Sequence, residues 1–578
     1  MSDMSKRATL ESVLPRLQKM LPHLGNANAN EAEAARQKIN GLLASVKLDW
    51  HDLATLLAGE QESLAAMLHR LFAKDSDILV DLALSGAEFF CSPDGKPFAD
   101  VLVHECRNTW LVTSNDFDEW LTHRFFTEKR RAPGPGPQKQ AIRTLTAHAK
   151  FESGLRHDVY LRVAELDGKI YVDIGDPKWS VIEIDASGWR VIDNSPVRFR
   201  RTQGMRALPF PERDGSIEQL RSLVNLSDDG FVLYIAWLLD ALCPGRPHPL
   251  LYLAGDEGSA KSTAAKIARS LIDPNAIPLR SLPSSTRELS VGVSNSSMLA
   301  YDNVSVIPTS LSDALCQVAT GSGFATRKLF TNTEEVLTGG YRSVVVSGLG
   351  NAITRSDLAD RAVIINMSRI AQERLRAERE IWSRFELQRP QIFGALLDCM
   401  ARGLRQLPQI QLARAPRMID FALWGIATAA FPRNVFLAAL ERTAADANEA
   451  VIEIDAVAVA VSAFMMGRGS WIGTAAQLLQ TLTDMDHTEA APSRSKSWPR
   501  EASAFGKRLQ AAKVVLGKIG VDVQIGRASD RHRTRSITLT AVRPQQAMET
   551  DASDGSDGSD RSDGSRTIAK DDLTLWKH

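Results

Sequence analysis

Cysteine is scarce. The five in 578 residues (Cys91, Cys106, Cys243, Cys316 and Cys399) are scattered, odd in number and never spaced C-x-x-C. This argues against a disulfide scaffold or zinc ribbon and for reduced core thiols of a cytosolic protein. Long apolar runs are absent too: none approaches a membrane span, and the start, MSDMSKRATLES, has no signal-peptide core. The expected compartment is cytoplasmic, with no membrane partner. Net charge is also missing, with 69 basic residues against 69 acidic ones, so any nucleic-acid surface has to be local. The 44% hydrophobic and 24% charged fractions are those of a globular chain. Its length exceeds one core and predicts roughly three to five domains.

The most informative stretch is PLLYLAGDEGSAKSTAAKIARSLI, Pro249 to Ile272. Leu250 to Leu253 reads as a buried strand, and about Lys261 to Leu271 as an Ala-rich helix. Between them Gly255, Asp256, Glu257, Gly258, Ser259, Ala260, Lys261 and Ser262, followed by Thr263, follow the pattern GxxxxGK[ST], with Ala260 at the second Gly. Phosphate binding needs this combination: loop N–H groups, a helix N-terminus, a Lys for the terminal phosphates and a hydroxyl for Mg²⁺. ATP and Mg²⁺ are the expected cofactors. A plain Gly-containing turn of an α/β domain is the alternative.

The remaining chain divides by pattern. Residues 1–75 read as a helical module, from apolar residues at helical spacing (Leu10, Val13, Leu14, Leu17, Leu21, then Ile39, Leu42, Leu43, Val46). Residues 78–212 read as an α+β domain. It has a hairpin around Pro93-Asp94-Gly95, a loop through PGPGP (Pro133 to Pro137), a helix from Ile142 to Phe151, and strands at 170–174, 181–184 and 189–192. Asp173, Asp176, Glu183 and Asp185 raise the question of a metal site or a polymerase-type acid pair. Alternation places them instead on a solvent face and in turns.

Residues 216–406 are the expected nucleotide domain. Met298-Leu-Ala-Tyr-Asp302-Asn303 is an apolar strand ending in an acid, 40 residues past Ser262, which suits a Walker B acid beside the Mg²⁺. Strands are also expected at Ser343 to Ser347 and from Ala362, the latter preceded by Arg355, Asp357, Asp360 and Arg361. Those arginines either pair with the neighbouring acids or reach a nucleotide on an adjacent subunit; the finger role is favoured for Arg361, and Arg355 is left open.

In this order, the P-loop, YDNVS, SDALCQVATGSGFATRKLFTN and TRSDLADRAVIINM resemble the ATPase domain of phage, plasmid and prophage replication helicases, relatives of the superfamily-3 helicases in the AAA+ class. The resemblance spans roughly 230 to 370. It implies phosphate and Mg²⁺ binding by Lys261 and Ser262, a Walker B role for Asp302, a polar sensor at Ser347 and an arginine finger at Arg361. It also implies a ring, such as a hexamer, and a pore hairpin in which Arg327 and Lys328 meet phosphates and Phe330 stacks on bases. Two positions depart from the class. Asn303 stands where a catalytic Glu is common, and Ser347 is shorter than the usual Asn, leaving Glu257 as a candidate activating acid.

Residues 407–470 read as a helical lid or collar with Trp424 and the Phe421 to Phe431 stretch in its core. Residues 471–543 read as a winged helix: a capped helix from Trp471, a helix opened by Trp498-Pro-Arg-Glu and ending near Lys518, and a basic hairpin. Between Ala491 and Thr540 there are eleven Lys/Arg against three Asp/Glu, a local +8. Lys507, Arg508, Lys513, Arg531, Arg533 and Arg535 are the expected phosphate contacts, unless the module docks protein instead. The Ser-Asp-Gly tail, 544–578, is expected to be disordered.

Together these readings predict a multidomain α/β protein with an AAA+-like P-loop core. Its expected function is that of a DNA helicase or helicase-like replication ATPase of a mobile element, acting as a ring on single-stranded or duplex DNA. The N-terminal helices or the tail would recruit replication partners. The alternative is a DNA-bound ATP switch (an initiator, loader or regulator) with slow hydrolysis.

Overall fold

The computed structural model describes residues 13, 16, 17, 19, 20, 29–48, 74–327, 335–338, 340–350, 352, 353, 355–412, 416–454, 456–485, 498–518, 520–527 and 535–541. It is a mixed α/β structure in two compact units, Met1–Ile454 and Asp455–His578. No helix among the described residues is long and apolar enough to cross a membrane.

In the first unit the helix Ala29–Ser45 buries Ile39 and Leu43 against Val13 and Leu17, the apolar stripe expected from their spacing. Strands β1 (Ala87–Cys91), β2 (Pro97–Val103) and β3 (Cys106–Leu111) form an antiparallel sheet. Phe90 pairs with Phe98 across the predicted Pro-Asp-Gly turn. The PGPGP segment departs from expectation. The helix there is Pro135–Phe151, starting inside the proline run, because a helix's first turn has no use for the N–H that proline lacks. Three of the five cysteines are buried and all five are free thiols; burial pushes Cys243 up to about 12 and Cys399 up to about 11.

A short parallel pair, β4 (Val159–Tyr160) with β9 (Arg198–Phe199), flanks a four-stranded antiparallel meander. The meander is β5 (Val163–Leu166), β6 (Lys169–Asp173), β7 (Val181–Asp185) and β8 (Gly188–Ile192). The solvent-face expectation fails for Asp173 and Glu183, which are buried, while Asp176, also buried, and Asp185 sit at turns as expected. One face of the meander, with Ile170, Val172, Ile182 and Ile184, belongs to the main core; the other, with Tyr171 and Val181, packs on Val197 and Phe199. Burial of carboxylates requires partners. Arg201 grips Asp173 with Nη2–Oδ1 at 2.6 Å and Nε–Oδ2 at 3.0 Å. Ser180 donates its N–H and hydroxyl to Asp176, and Glu183 accepts from Tyr171 and pairs with Lys169 and Arg190.

The main core is built around an all-parallel sheet in the order β11-β14-β10-β15, from β10 (Leu250–Gly255), β11 (Met298–Val304), β14 (Ser343–Gly348) and β15 (Ala362–Met367). Between β11 and β14 in the chain lies an antiparallel hairpin, β12 (Phe324–Arg327) with β13 (Glu335–Thr338). Parallel strands covered on both faces read as unbroken apolar runs, which is why these four were visible in the sequence. The helix Asp228–Ala241 is buried at every residue from Gly230 to Ala241, since its apolar residues run all around it rather than along one stripe. The helix Glu378–Gln406 packs on the same core through Phe385, Ile392 and Leu396, and Trp424 and Phe421 are buried in it as expected.

The second unit contains the helices Ala456–Met465, Ala475–Asp484 and Ala502–Lys518 and an antiparallel sheet in the order β16-β18-β17, from β16 (Ser470–Gly473), β17 (Val521–Arg527) and β18 (Arg535–Ala541). Here too one expectation changes. Trp471 does not open a helix; it lies in β16, opposite Leu539. The helix begins after Thr474, which caps it in a reciprocal capping box with Gln477.

Candidate functional site

The loop from Gly255 to Ala260 leaves the C-terminal end of β10 and enters the helix Lys261–Ile272. Its backbone turns into that helix through Ala260 at φ 62°, ψ 30°. This left-handed conformation costs an L-residue roughly 1–2 kcal/mol, which explains why glycine is usual at this position. Three contacts hold the loop. The buried Ser259 hydroxyl donates to the Asp256 carbonyl at 2.8 Å. The Lys261 ammonium lies inside the loop, donating to the same carbonyl at 2.7 Å and to Ser259 Oγ at 3.3 Å. Asn225 Nδ2 donates to the carbonyls of both Ser259 (3.1 Å) and Ser368 (2.7 Å). Asp256, Glu257 and Gly258 are exposed, and Thr263 is half-buried in the first helical turn.

Around this loop the sheet brings together residues far apart in sequence. Ser262 Oγ donates to Asp302 Oδ1 at 2.9 Å, and Ser347, fully buried on β14, donates its hydroxyl to the same oxygen. The strand order explains the meeting: β14 lies between β10 and β11, so its Ser347 stands between the loop strand and the acid strand. The set Ser262 Oγ and Asp302 carboxylate is two hard oxygen donors within hydrogen-bond reach, the chemistry that suits Mg²⁺ with its remaining positions left to water and phosphate. Asn303, next on β11, is exposed at φ 56°.

The arginines lie elsewhere. Leu250 at the start of β10 is in register with Ala362 at the start of β15, so Arg361 sits at the sheet end opposite the loop. Arg361 donates from Nη1 to the Asp357 carbonyl at 2.9 Å and lines a cavity of 210 Å³ with His248, Thr320 and Arg417. Arg355 is paired with Asp357 and Asp313, each at 3.1 Å, and its hydrogen bond to Asp357 raises its pKa. Of the two readings for Arg355, this geometry favours the ion pair.

For the expected DNA contacts, Arg327 ends β12 opposite Glu335, while Lys328 and Phe330 lie outside the described residues. Lys507, Arg508 and Lys513 share the helix Ala502–Lys518, with Lys507 exposed and the other two half-buried. Arg535 opens β18 opposite Arg527; Arg531 and Arg533 lie outside the described residues. Two residues escaped sequence reasoning. Asn225 braces the loop from a segment 30 residues before it. Arg369 is an exposed cation beside Gly258, on the segment whose Ile370 N–H donates to the Gly258 carbonyl at 3.2 Å. Its position just past β15 was the available signal, legible only once β15 was known to flank β10.

Residues 217–447 match the family described as actinomycete integrative conjugative element replication protein, and residues 457–554 match the RepA C-terminal domain of the same elements. No curated protein matches the sequence. Among solved structures the chain is similar to the SCCmec type IV Cch active helicase, with a TM-score of 0.43 and 12% identity over 79% of this chain and 94% of that one. It is also similar to the apo C-terminal region of NrS-1, with a TM-score of 0.36 and 12% identity over 81% and 99%. Both scores are under 0.5, so neither likeness bears on the site. The two family matches take in the parallel sheet and the C-terminal unit, and over those residues the chain matches the replication proteins of actinomycete integrative conjugative elements, a mobile-element family as the sequence resemblance implied.

Proposed function

We propose that this replication protein is an ATP-dependent DNA helicase or helicase-like ATPase that works as a ring, such as a hexamer, on single-stranded or duplex DNA. The observation that carries the reading is the convergence of Ser262, Ser347 and Asp302 beside the Lys261 loop. Nucleotide phosphates would lie against the N–H groups of residues 255–263, with Lys261 on the terminal phosphates and Arg369 adding positive charge from the flank. Mg²⁺ would be held by Ser262 and Asp302 and would neutralise charge developing on the transferred phosphoryl group. Arg361 would act on the nucleotide of a neighbouring subunit, a role supported by its distance from its own loop.

Within this reading residues 216–406 are the P-loop AAA+-like ATPase, 407–470 its lid or collar, and 471–543 a winged helix that holds DNA through Lys507, Arg508, Lys513, Arg531, Arg533 and Arg535. The hairpin bearing Arg327, Lys328 and Phe330 would track the strand. Residues 1–75 and the tail 544–578 would recruit replication partners. The helix pair and three-stranded sheet of the C-terminal unit support the winged-helix assignment.

A second reading, the DNA-bound ATP switch, draws on Asn303 and Ser347. Asn303 cannot serve as a base, and the Ser347 hydroxyl is engaged by Asp302. Steady-state ATP turnover with and without single-stranded DNA, against Lys261→Ala, separates the two. DNA-stimulated turnover with strand displacement supports the motor. ATP binding with turnover that DNA never accelerates removes the motor and leaves the switch.

A further inference from the structure

The α+β region carries a cleft that the ATP site does not use. Its volume is 510 Å³, within the range of small-ligand pockets, and its walls include Trp110, Trp179, Asn115, Asp116, Glu119 and Gln203. Trp179 has φ 56°, a conformation that is an outlier for a bulky residue and that persists only where its surroundings impose it.

The surroundings here are the buried acids of the meander. Asp176 accepts from the Ser180 N–H and hydroxyl, and its carbonyl accepts from the Trp179 N–H at 3.2 Å and from Arg201. Arg201, gripped by Asp173, lies 3.8 Å from the centre of the Trp179 ring and also lines the cleft. The Lys178 carbonyl accepts from the Cys106 thiol at 3.2 Å, tying the turn to β3. Asp173 and Asp176, which the sequence reading put on a solvent face and in a turn, are thus the frame that presents Trp179.

We propose that this cleft binds a single unpaired nucleobase of the DNA on which the protein acts. Flat indole and guanidinium surfaces are what a base stacks on. Asp116 and Glu119 would repel a phosphate but accept hydrogen bonds from an exocyclic amine, as found on adenine N6 and cytosine N4 and absent from thymine. The amides of Asn115 and Gln203 can donate to ring nitrogens and carbonyls. The cleft therefore favours amino-bearing bases and reads the base rather than the backbone. This inference uses the replication-family assignment but not the ATP-site reading.

The test is anisotropy titration of labelled oligo(dA), oligo(dC) and oligo(dT) of equal length with the full chain, at salt high enough to suppress phosphate contacts. The expected result is about tenfold tighter binding of oligo(dA) and oligo(dC) than of oligo(dT), the size of one well-placed contact to the exocyclic amine. Trp179→Ala and Trp110→Ala should abolish this preference. The exposed change Glu119→Gln, which leaves the frame behind Trp179 untouched, should reduce the preference. Equal affinities for the three oligonucleotides overturn the proposal, as does a preference that survives both Trp110→Ala and Glu119→Gln. A trimethyllysine peptide that binds the cleft in place of DNA would mark it as an aromatic cage for a cation and equally refute it. Salt-sensitive binding and ATP turnover on oligo(dT) report on the motor alone, so failure of the one reading is visible apart from the other.

Discussion

Mixing two inactive variants, Lys261→Ala and Arg361→Ala, tests whether the nucleotide site is shared between subunits. Strands β10 and β15 are parallel and in register from Leu250/Ala362 to Gly255/Met367, so Arg361 and the loop of its own chain lie about 17 Å apart or more along the sheet. No rotamer closes that gap, and any action of Arg361 on ATP must be in trans. A finger arginine contributes about 10³–10⁵ in turnover, so each variant alone should fall to background. In a ring with head-to-tail interfaces, a working site needs Lys261 intact on one side and Arg361 intact on the other. Random assembly of an equal mixture yields such a pairing at about one interface in four, so turnover should recover to about a quarter of wild type if sites fire independently. The assay is steady-state phosphate release after mixing dissociated subunits and reassembling them with DNA. A mixture no more active than the sum of its parts refutes the reasoning, as does an Arg361→Ala protein that retains wild-type turnover.

Asp302→Asn removes the carboxylate proposed to hold Mg²⁺; turnover should drop roughly a hundredfold, about 3 kcal/mol of transition-state stabilisation, with a raised Mg²⁺ requirement in a metal titration. Ala260→Gly relieves a left-handed penalty of about 1–2 kcal/mol against a glycine entropy cost of about 0.5–1 kcal/mol, so thermal unfolding should move slightly upward with ATP affinity retained or improved. Asp273 caps the far end of the Lys261 helix region. It accepts from the wholly buried Arg162 at 3.2 Å and from the Ser297 and Met298 N–H groups, and it pairs with Arg269 at 3.5 Å. Asp273→Ala leaves two buried guanidiniums under-paired and should cost about 3–5 kcal/mol, lowering the urea midpoint by about 1 M or more.

Much of the candidate site was legible because it is local. The strand, loop and helix from Leu250 to Ile272 are contiguous, and the apolar runs of β11, β14 and β15 announce strands buried on both faces. The capping box at Thr474 is equally local. The errors lie where distant segments decide. β16 could not be read because its partner β18 is some 70 residues away. Alternation put Asp173 and Glu183 on a solvent face, but packing covers both faces of their sheet, and Arg201, Tyr171 and Arg190 satisfy the acids there.

By itself, then, the sequence determined which residue types could meet a phosphate and a metal, since backbone conformation and charge along a short segment depend on near neighbours. Only the tertiary structure decided which of them meet. Strand order set Ser347 between the loop and Asp302 and sent Arg361 to the opposite end of the sheet, and burial made Asp173 and Asp176 the frame of Trp179. Strand order and burial are set by contacts between residues tens to hundreds of positions apart, which no local pattern encodes.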